Sequence, residues 1–272
     1  LEVAEQQLDL TEAVLETTRK RFEAGAAAEI ELIRARVPVA ESEVRVRRAR
    51  RDLDTAHRRL ALTWGQRDPR FVAVAGDLDR LREPPPPAAL SRLIGQTPRV
   101  ARWATEISAR RAEAALARAE AVPDLAGRVG FKRFNEIDES ALVIGVSLPL
   151  PLFDRNQGEV LAAKRAGLAA EQRRREAERR LEDQLSEAWT RLADAHDEVR
   201  ALRDLALPPA TEAFEITRRA FEKGDVPFLS VLDAERTLVR LRFRHVDALA
   251  AYHVAAADIE GLIGQPLSDL SS

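Results

Sequence analysis

Cysteine is absent from the 272-residue chain, which removes disulfide frameworks, thiolate nucleophiles and Cys-based metal sites. Methionine is absent too, even at position 1, so the sequence reads as a fragment or a processed form with any signal or lipid-attachment segment upstream of it. Glycine is sparse, at 12 residues, and aromatics make up only 5%; with 45% hydrophobic residues, that mix favours long amphipathic helices over an α/β enzyme core. No long apolar run is present. The longest, Ala141 to Phe153, is too short for a transmembrane helix and contains Pro149 and Pro151. Neither sign of charge dominates: 43 basic and 45 acidic residues leave a net charge of −2, with no gross bias toward nucleic acid or an anionic surface. All but four of the basic residues are arginine, which GC-rich coding explains better than any function.

What the chain does contain is helical periodicity. Leu181, Leu185, Ala188, Leu192, Ala195, Val199, Leu202 and Ala206 follow one another at alternating spacings of four and three, the seam of a coiled coil. A helix from Glu159 to Ala206 would be about 70 Å long at 1.5 Å per residue and needs partners along its length. Pro208 and Pro209 lack amide hydrogens, so a break or kink is expected there. The pattern resumes to Phe221, turns at Gly224 and continues as a second long helix from Phe228 to Ile263. The start of the chain has the same plan: helix to Phe22, turn at Gly25, and helix from Ile30 to Trp64 with a kink expected at Pro38.

Sliding the sequence by 199 residues aligns Glu16, Thr18, Arg19, Phe22, Glu23 and Gly25 with Glu215, Thr217, Arg218, Phe221, Glu222 and Gly224. In the same frame Ala35, Arg45, Ala49, Ala56, Gly65 and Gln66 match Ala234, Arg244, Ala248, Ala255, Gly264 and Gln265. A gapless frame that pairs both glycines and both Gly-Gln ends indicates an internal duplication.

Between the repeats, Gln66 to Ala88 carries Asp68-Pro69 and four consecutive prolines from Pro84, a connector that cannot stay helical. Short helices are expected from Ala88 to Ile94 and from Arg99 to Ala121. The island that follows alternates with a period of two: Leu125, Val129 and Phe131 on one face against Arg128 and Lys132, then Leu142, Ile144, Val146 and Leu148 after a turn in Asn135 to Ser140. This predicts a β-hairpin with one apolar face. An isolated hairpin is marginal in water, so it joins strands in a transmembrane β-barrel or packs on a helical core. Periodicity alone leaves both open.

No catalytic constellation can be read, and no enzyme is expected. The four histidines, His57, His196, His245 and His253, lie in helical segments without metal-ligand spacing, and structural roles are expected for all four. No cofactor and no metal site is expected. Trp64, Trp103, Trp189 and Tyr252 are too scattered for a stacking surface.

Arg21-Phe22-Glu23-Ala24-Gly25 leading to Glu31-Leu32-Ile33, and Ala220-Phe221-Glu222-Lys223-Gly224 leading to Ser230-Val231-Leu232-Asp233-Ala234, resemble the helical tips of the TolC-like outer-membrane factor family. The stretch from Ser147 to Gly158 resembles the strand-to-helix junction of its CzcC-like, heavy-metal cation efflux branch. The resemblance covers essentially the whole chain. It implies a mainly α fold of long antiparallel coiled-coil helical hairpins, with one β-hairpin contributing to a transmembrane β-barrel. The segments would be a partial first helical hairpin (1–66), a connector (67–98), an ascending helix (99–122), the barrel hairpin (123–153), a second long hairpin (154–265) and a tail (266–272). Relative to the family, the first barrel hairpin and most of the helix before Leu1 are missing.

The resemblance further implies a homotrimer in the Gram-negative outer membrane and periplasm. It would contact outer-membrane lipid, dock a periplasmic adaptor (membrane fusion protein) linked to an inner-membrane RND pump, and conduct substrate passively. Nucleic acid is not an expected partner. Phe22, Gly25, Phe221 and Gly224 would form the adaptor-docking tips, although the glycines are equally explained as turns and the aromatics can pack against an opposite helix. Three-fold symmetry would repeat Glu31 and Asp233 as acidic rings at the entrance; acids near a helix start also simply favour its dipole. The rival expectation is a coiled-coil periplasmic adaptor or tether that conducts nothing.

Overall fold

The computed structural model describes residues 1–134, 139–149 and 153–270. In chain order the elements are α1 (Glu2–Glu23), α2 (Glu29–Leu62), α3 (Pro87–Ile94), α4 (Pro98–Ala119), β1 (Ala126–Phe134), β2 (Glu139–Ser147), α5 (Gln157–Arg200), a π-helical turn (Ala201–Ala206), α6 (Leu207–Lys223), α7 (Phe228–Ile263) and a 3₁₀ turn (Leu267–Leu270). The chain is mainly helical, as its periodicity predicts. Helix ends carry the expected charges: Glu2 and Glu5 open α1 and Lys20 and Arg21 close it, while Glu29 and Glu31 open α2. α2 runs through Pro38.

The expected break at Pro208-Pro209 takes another form. α5 gives way to the π turn, and α6 restarts with both prolines in its first turn. The first amides of a helix have no intrahelical acceptor, so prolines cost little there. Widening the preceding turn by one residue lets the backbone stay helical past two residues that cannot donate.

Two units are distinguished. The first comprises Leu1–Pro84 and Trp189–Ala257. Its main core is Val14, Ala35, Phe214, Phe221, Phe228, Val231, Leu232 and Leu238, drawn from α1, α2, α6 and α7, so both helical hairpins share one apolar interior near their turns. A second cluster joins Val199 and Leu202 to Ala248 and Leu249. The buried stripe of α1 is Ala4, Gln7, Thr11, Val14 and Thr18, spaced by three and four yet mostly polar. Thr11 and Thr18 donate to Leu8 and Val14 carbonyls of their own helix, which leaves Gln7 as the member needing a partner from elsewhere.

The connector is fastened by side chains that looked scattered in the sequence. The Tyr252 hydroxyl donates to the Arg82 carbonyl and accepts from its amide, both at 2.8 Å. His253 Nε2 lies 2.9 Å from the Leu78 carbonyl, and Phe71 packs edge-on to His57 and beside Trp64.

The second unit comprises Pro85–Ala188 and the residues from Asp258 on. Its helices bury Leu90, Ile94, Val100, Ile107, Ala114 and Ala117. The start of α5 is built by the family-like junction: Asn156 adopts a left-handed backbone at φ 56°, which asparagine tolerates better than most residues. Its amide N–H donates to Asp154 Oδ1 at 2.9 Å. Its side chain donates to the Ala117 carbonyl at the end of α4, also at 2.9 Å. The motif therefore reverses the chain and satisfies a helix C-terminus at once. Leu150, Pro151 and Leu152 of the same motif, and residues 135–138 of the expected turn, lie outside the described residues.

The coiled-coil seam holds: Leu181, Leu185, Ala188, Leu192, Ala195, Val199 and Leu202 are all buried, and Ala206 is half-buried. No helix among the described residues is long and apolar enough to cross a membrane, a statement that does not bear on the strands.

Candidate functional site

Two places present chemistry outward: the turns of the helical hairpins and the β-hairpin. The hairpin is an antiparallel pair of two nine-residue strands. Its register sets Val129 opposite Ile144, Phe131 opposite Leu142 and Gly127 opposite Val146. Both apolar sets predicted by the alternation therefore fall on one face, and the opposite face pairs Arg128 with Gly145 and Lys132 with Ala141. That apolar face is bare: Phe131 is 85% exposed, and Val129, Leu142, Ile144 and Val146 are all exposed. β1 pairs with β2 in a two-stranded sheet.

The two tips repeat each other bond for bond. Gly25 N–H donates to the Phe22 carbonyl and Ala26 N–H to the Arg21 carbonyl; 199 residues on, Gly224 donates to Phe221 and Asp225 to Ala220. Glu31 N–H donates to Ala28, and Ser230 to Pro227, in the same frame. Gly25 and Gly224 have φ of +71° and +88°, the left-handed C-terminal cap that disfavours any side chain. Gly65 and Gly264, the other aligned glycines, also have positive φ.

The aromatics differ. Phe22 is 38% exposed whereas Phe221 is 2% exposed, tilted against Phe228 with ring centroids 5.8 Å apart. Arg21 also lies over the Phe221 ring, its guanidinium carbon 4.3 Å from the ring centroid. Arg21 Nη1 donates to the Phe221 carbonyl and Nη2 to the Ala26 carbonyl. One arginine thus ties its own turn to the neighbouring one. Of the packing and docking roles open to these aromatics, Phe221 takes packing and Phe22 is left facing outward.

Glu31 is half-buried in the first turn of α2, and Asp233 is exposed near the start of α7. They are not repeat partners: Glu31 aligns with Ser230, and Asp233 with Arg34. Glu29 and Asp225 are also exposed at the turns. Among the described residues no three His, Asp or Glu side chains converge in a metal-holding geometry.

Sequence reasoning missed one buried feature in this unit. Glu235 lies in the core-facing stripe of α7, 3% exposed, and Gln7 of α1, 2% exposed, donates its Nε2 to Glu235 Oε1 at 3.0 Å. Burial pushes the Glu235 carboxyl up to about 7, a rise only partly offset by the Gln7 bond and by Arg236 and Arg45. The available signal was the interruption of an apolar 3–4 stripe, Phe228, Val231, Leu232, Leu238 and Val239, by one acid.

Long paired helical hairpins with glycine-capped tips, together with a hairpin whose bare face is apolar, define a protein of the outer-membrane factor class. Residues 89–265 match the model of the outer membrane efflux protein family, and the chain belongs to that family. It is 32% identical over 257 residues to the cobalt-zinc-cadmium resistance protein CzcC of Cupriavidus metallidurans, covering 94% of this chain and 62% of that protein. The chain thus spans less than two thirds of that relative's length. Among solved structures, a membrane protein from Pseudomonas aeruginosa is similar with a TM-score of 0.78 at 22% identity, covering 97% of this chain and 62% of that one. The CusC channel is similar with a TM-score of 0.77 at 21% identity, covering 97% of this chain and 65% of that one. At these identities the structures speak to fold alone.

Proposed function

We propose that this chain forms part of a passive outer-membrane efflux conduit that carries heavy-metal cations, delivered by a periplasmic adaptor and an inner-membrane pump, to the exterior. The observation that carries this reading is the β-hairpin. Nine residues suffice for a tilted strand to cross the hydrocarbon layer, and an exposed aliphatic and aromatic face opposite one that carries Arg128, Lys132, Gly130, Ala141, Gly145 and a single aliphatic, Val143, suits lipid on one side and a lumen on the other. A hairpin alone does not bury enough to be stable; strands from other subunits, together with the first barrel hairpin that the family places earlier in the chain, complete it. A tether has no use for such a face.

Assembly into a homotrimer finds support in α2. Ile30, Ile33, Val37, Ala40 and Val44 are exposed at spacings of three and four, a second seam opposite the buried one, which asks for a helix from another subunit. The metal-cation substrate is carried over from the CzcC relative and is consistent with carboxylates at the tips, where three-fold repetition of Glu31 and Asp233 would favour cations.

The test is conductance of the full-length protein in planar bilayers beside size measurement in detergent. Trimers with discrete channel steps are expected; a monomer that leaves the bilayer silent, under conditions where a family channel conducts, overturns the proposal.

A further inference from the structure

The buried Gln7–Glu235 contact joins α1 of the first helical hairpin to α7 of the second, within one unit. Two buried atoms of opposite polarity accompany it and have no hydrogen-bond partner: Gln7 Oε1, an acceptor, and Arg45 Nε, a donor. Gln7 Oε1 belongs to the amide already bonded to Glu235, and Arg45 stands on α2 close enough for its charge to act on the same carboxyl. An unmatched buried polar atom costs roughly 1–3 kcal/mol, so leaving one on the amide that meets this carboxyl and another on an arginine whose charge acts on it needs a reason.

We propose that Glu235 is a proton-operated latch between the two helical hairpins. Protonated, it donates its O–H to Gln7 Oε1 while still accepting from Gln7 Nε2, closing a two-bond acid–amide pair that clamps α1 to α7. Ionised, it has no proton to give, faces the amide oxygen with like charge, and turns to Arg45 Nε on α2. The proton thus decides which of the two unmatched atoms is satisfied, and with it which helix of the first hairpin, α1 or α2, holds α7.

The charged groups acting on Glu235 among the described residues are Arg236 on α7 itself and Arg45 and Glu41 on α2, while α1 presents the neutral Gln7. Arg45 Nη2 lies 3.6 Å from Glu41 Oε2, so the arginine is shared and its Nε remains available. Raising the folded-state value from 4.5 to about 7 means that the folded chain holds this proton more tightly than the unfolded one. Stability from the latch is therefore complete below the unfolded value and is lost as pH rises through about 7. The latch concerns the joint between hairpins and stands whether or not the assembly conducts.

These 272 residues contain no cysteine, so once any cysteine elsewhere in the full-length protein is replaced by serine, labels can be placed at chosen positions. Spin labels at E12C on α1 and R240C on α7, both exposed positions, report the distance between the helices from pH 5.5 to 8.5. A single short distance at low pH should give way to a second population with a midpoint near 7. E235Q, a neutral amide that still donates to Gln7 Oε1, should hold the low-pH distance at every pH. R45Q, which removes the partner of the ionised form, should raise the midpoint by about one pH unit or more. Infrared spectra should show a protonated carboxyl band at pH 6 that is missing in E235Q. A distance that does not change with pH, or one that changes identically in E235Q, overturns the latch. If E235Q does not fold, an unmoved midpoint in R45Q does the same.

Discussion

The two helical tips share a backbone and differ in what they do with an aromatic. Each ends its first helix on a left-handed glycine with the same pair of capping bonds, yet Phe221 is sealed under Arg21 and Phe228 while Phe22 stays at the surface. The source of the difference lies at neighbouring aligned positions. Arg21 aligns with Ala220 and Glu29 with Phe228, so only the second tip has a ring to stack on and a guanidinium over it. A duplicated sequence has been divided into a tip whose ring is buried and a tip whose ring stays exposed.

The largest expected break in this contrast is Phe221→Ala, which empties a buried site and should destabilise the chain by about 3–5 kcal/mol, read by denaturant unfolding; Phe22→Ala should fall within about 0.5 kcal/mol. Equal losses would mean that the tips are equivalent after all. The glycines test the opposite, shared property. Gly25→Ala and Gly224→Ala should each cost about 1–2 kcal/mol and match one another, because an added Cβ meets open space at Gly25 and only ordinary contact, 3.7 Å from Arg21, at Gly224.

Arg21→Met should cost about 1 kcal/mol, less than removing the ring, and should raise hydrogen exchange in the second turn although the change is made in the first. Smallest in stability is the pair Glu31→Gln with Asp233→Asn, expected within about 0.5 kcal/mol of the parent but with reduced cation preference in single-channel recordings. Unchanged selectivity would remove these carboxylates from the entrance. Phe22→Ala, nearly silent in stability, should weaken binding of the adaptor in a titration; Phe221→Ala at a temperature where it remains folded should weaken it less.

Much of the fold could be read along the chain. The seam from Leu181 to Leu202, the positive-φ glycines at both turns and the one-faced hairpin all depend on periods of 3.5 or 2 within a single element, so neighbouring residues suffice to reveal them. The polar stripe of α1 was overlooked because Gln7, Thr11 and Thr18 are buried without being apolar. Of the tip residues, the glycines were legible from their turn chemistry, whereas the fates of Phe22 and Phe221 were not, since identical motifs cannot say which copy will be covered.

From sequence alone, then, come the helical class, the duplication at an offset of 199, the hairpin's two faces and the family resemblance, because each is written in local spacing or in direct residue identity. Tertiary structure alone decided that Arg21 closes over Phe221, that Tyr252 fastens the connector at Arg82, that the chain stays helical past Pro208-Pro209, and that Gln7 meets Glu235. Three of these four join residues 170 or more positions apart, and the fourth is a backbone adjustment that lets α5 and α6 follow one another as helix. Such contacts depend on how whole helices come together, and no short window of sequence records that.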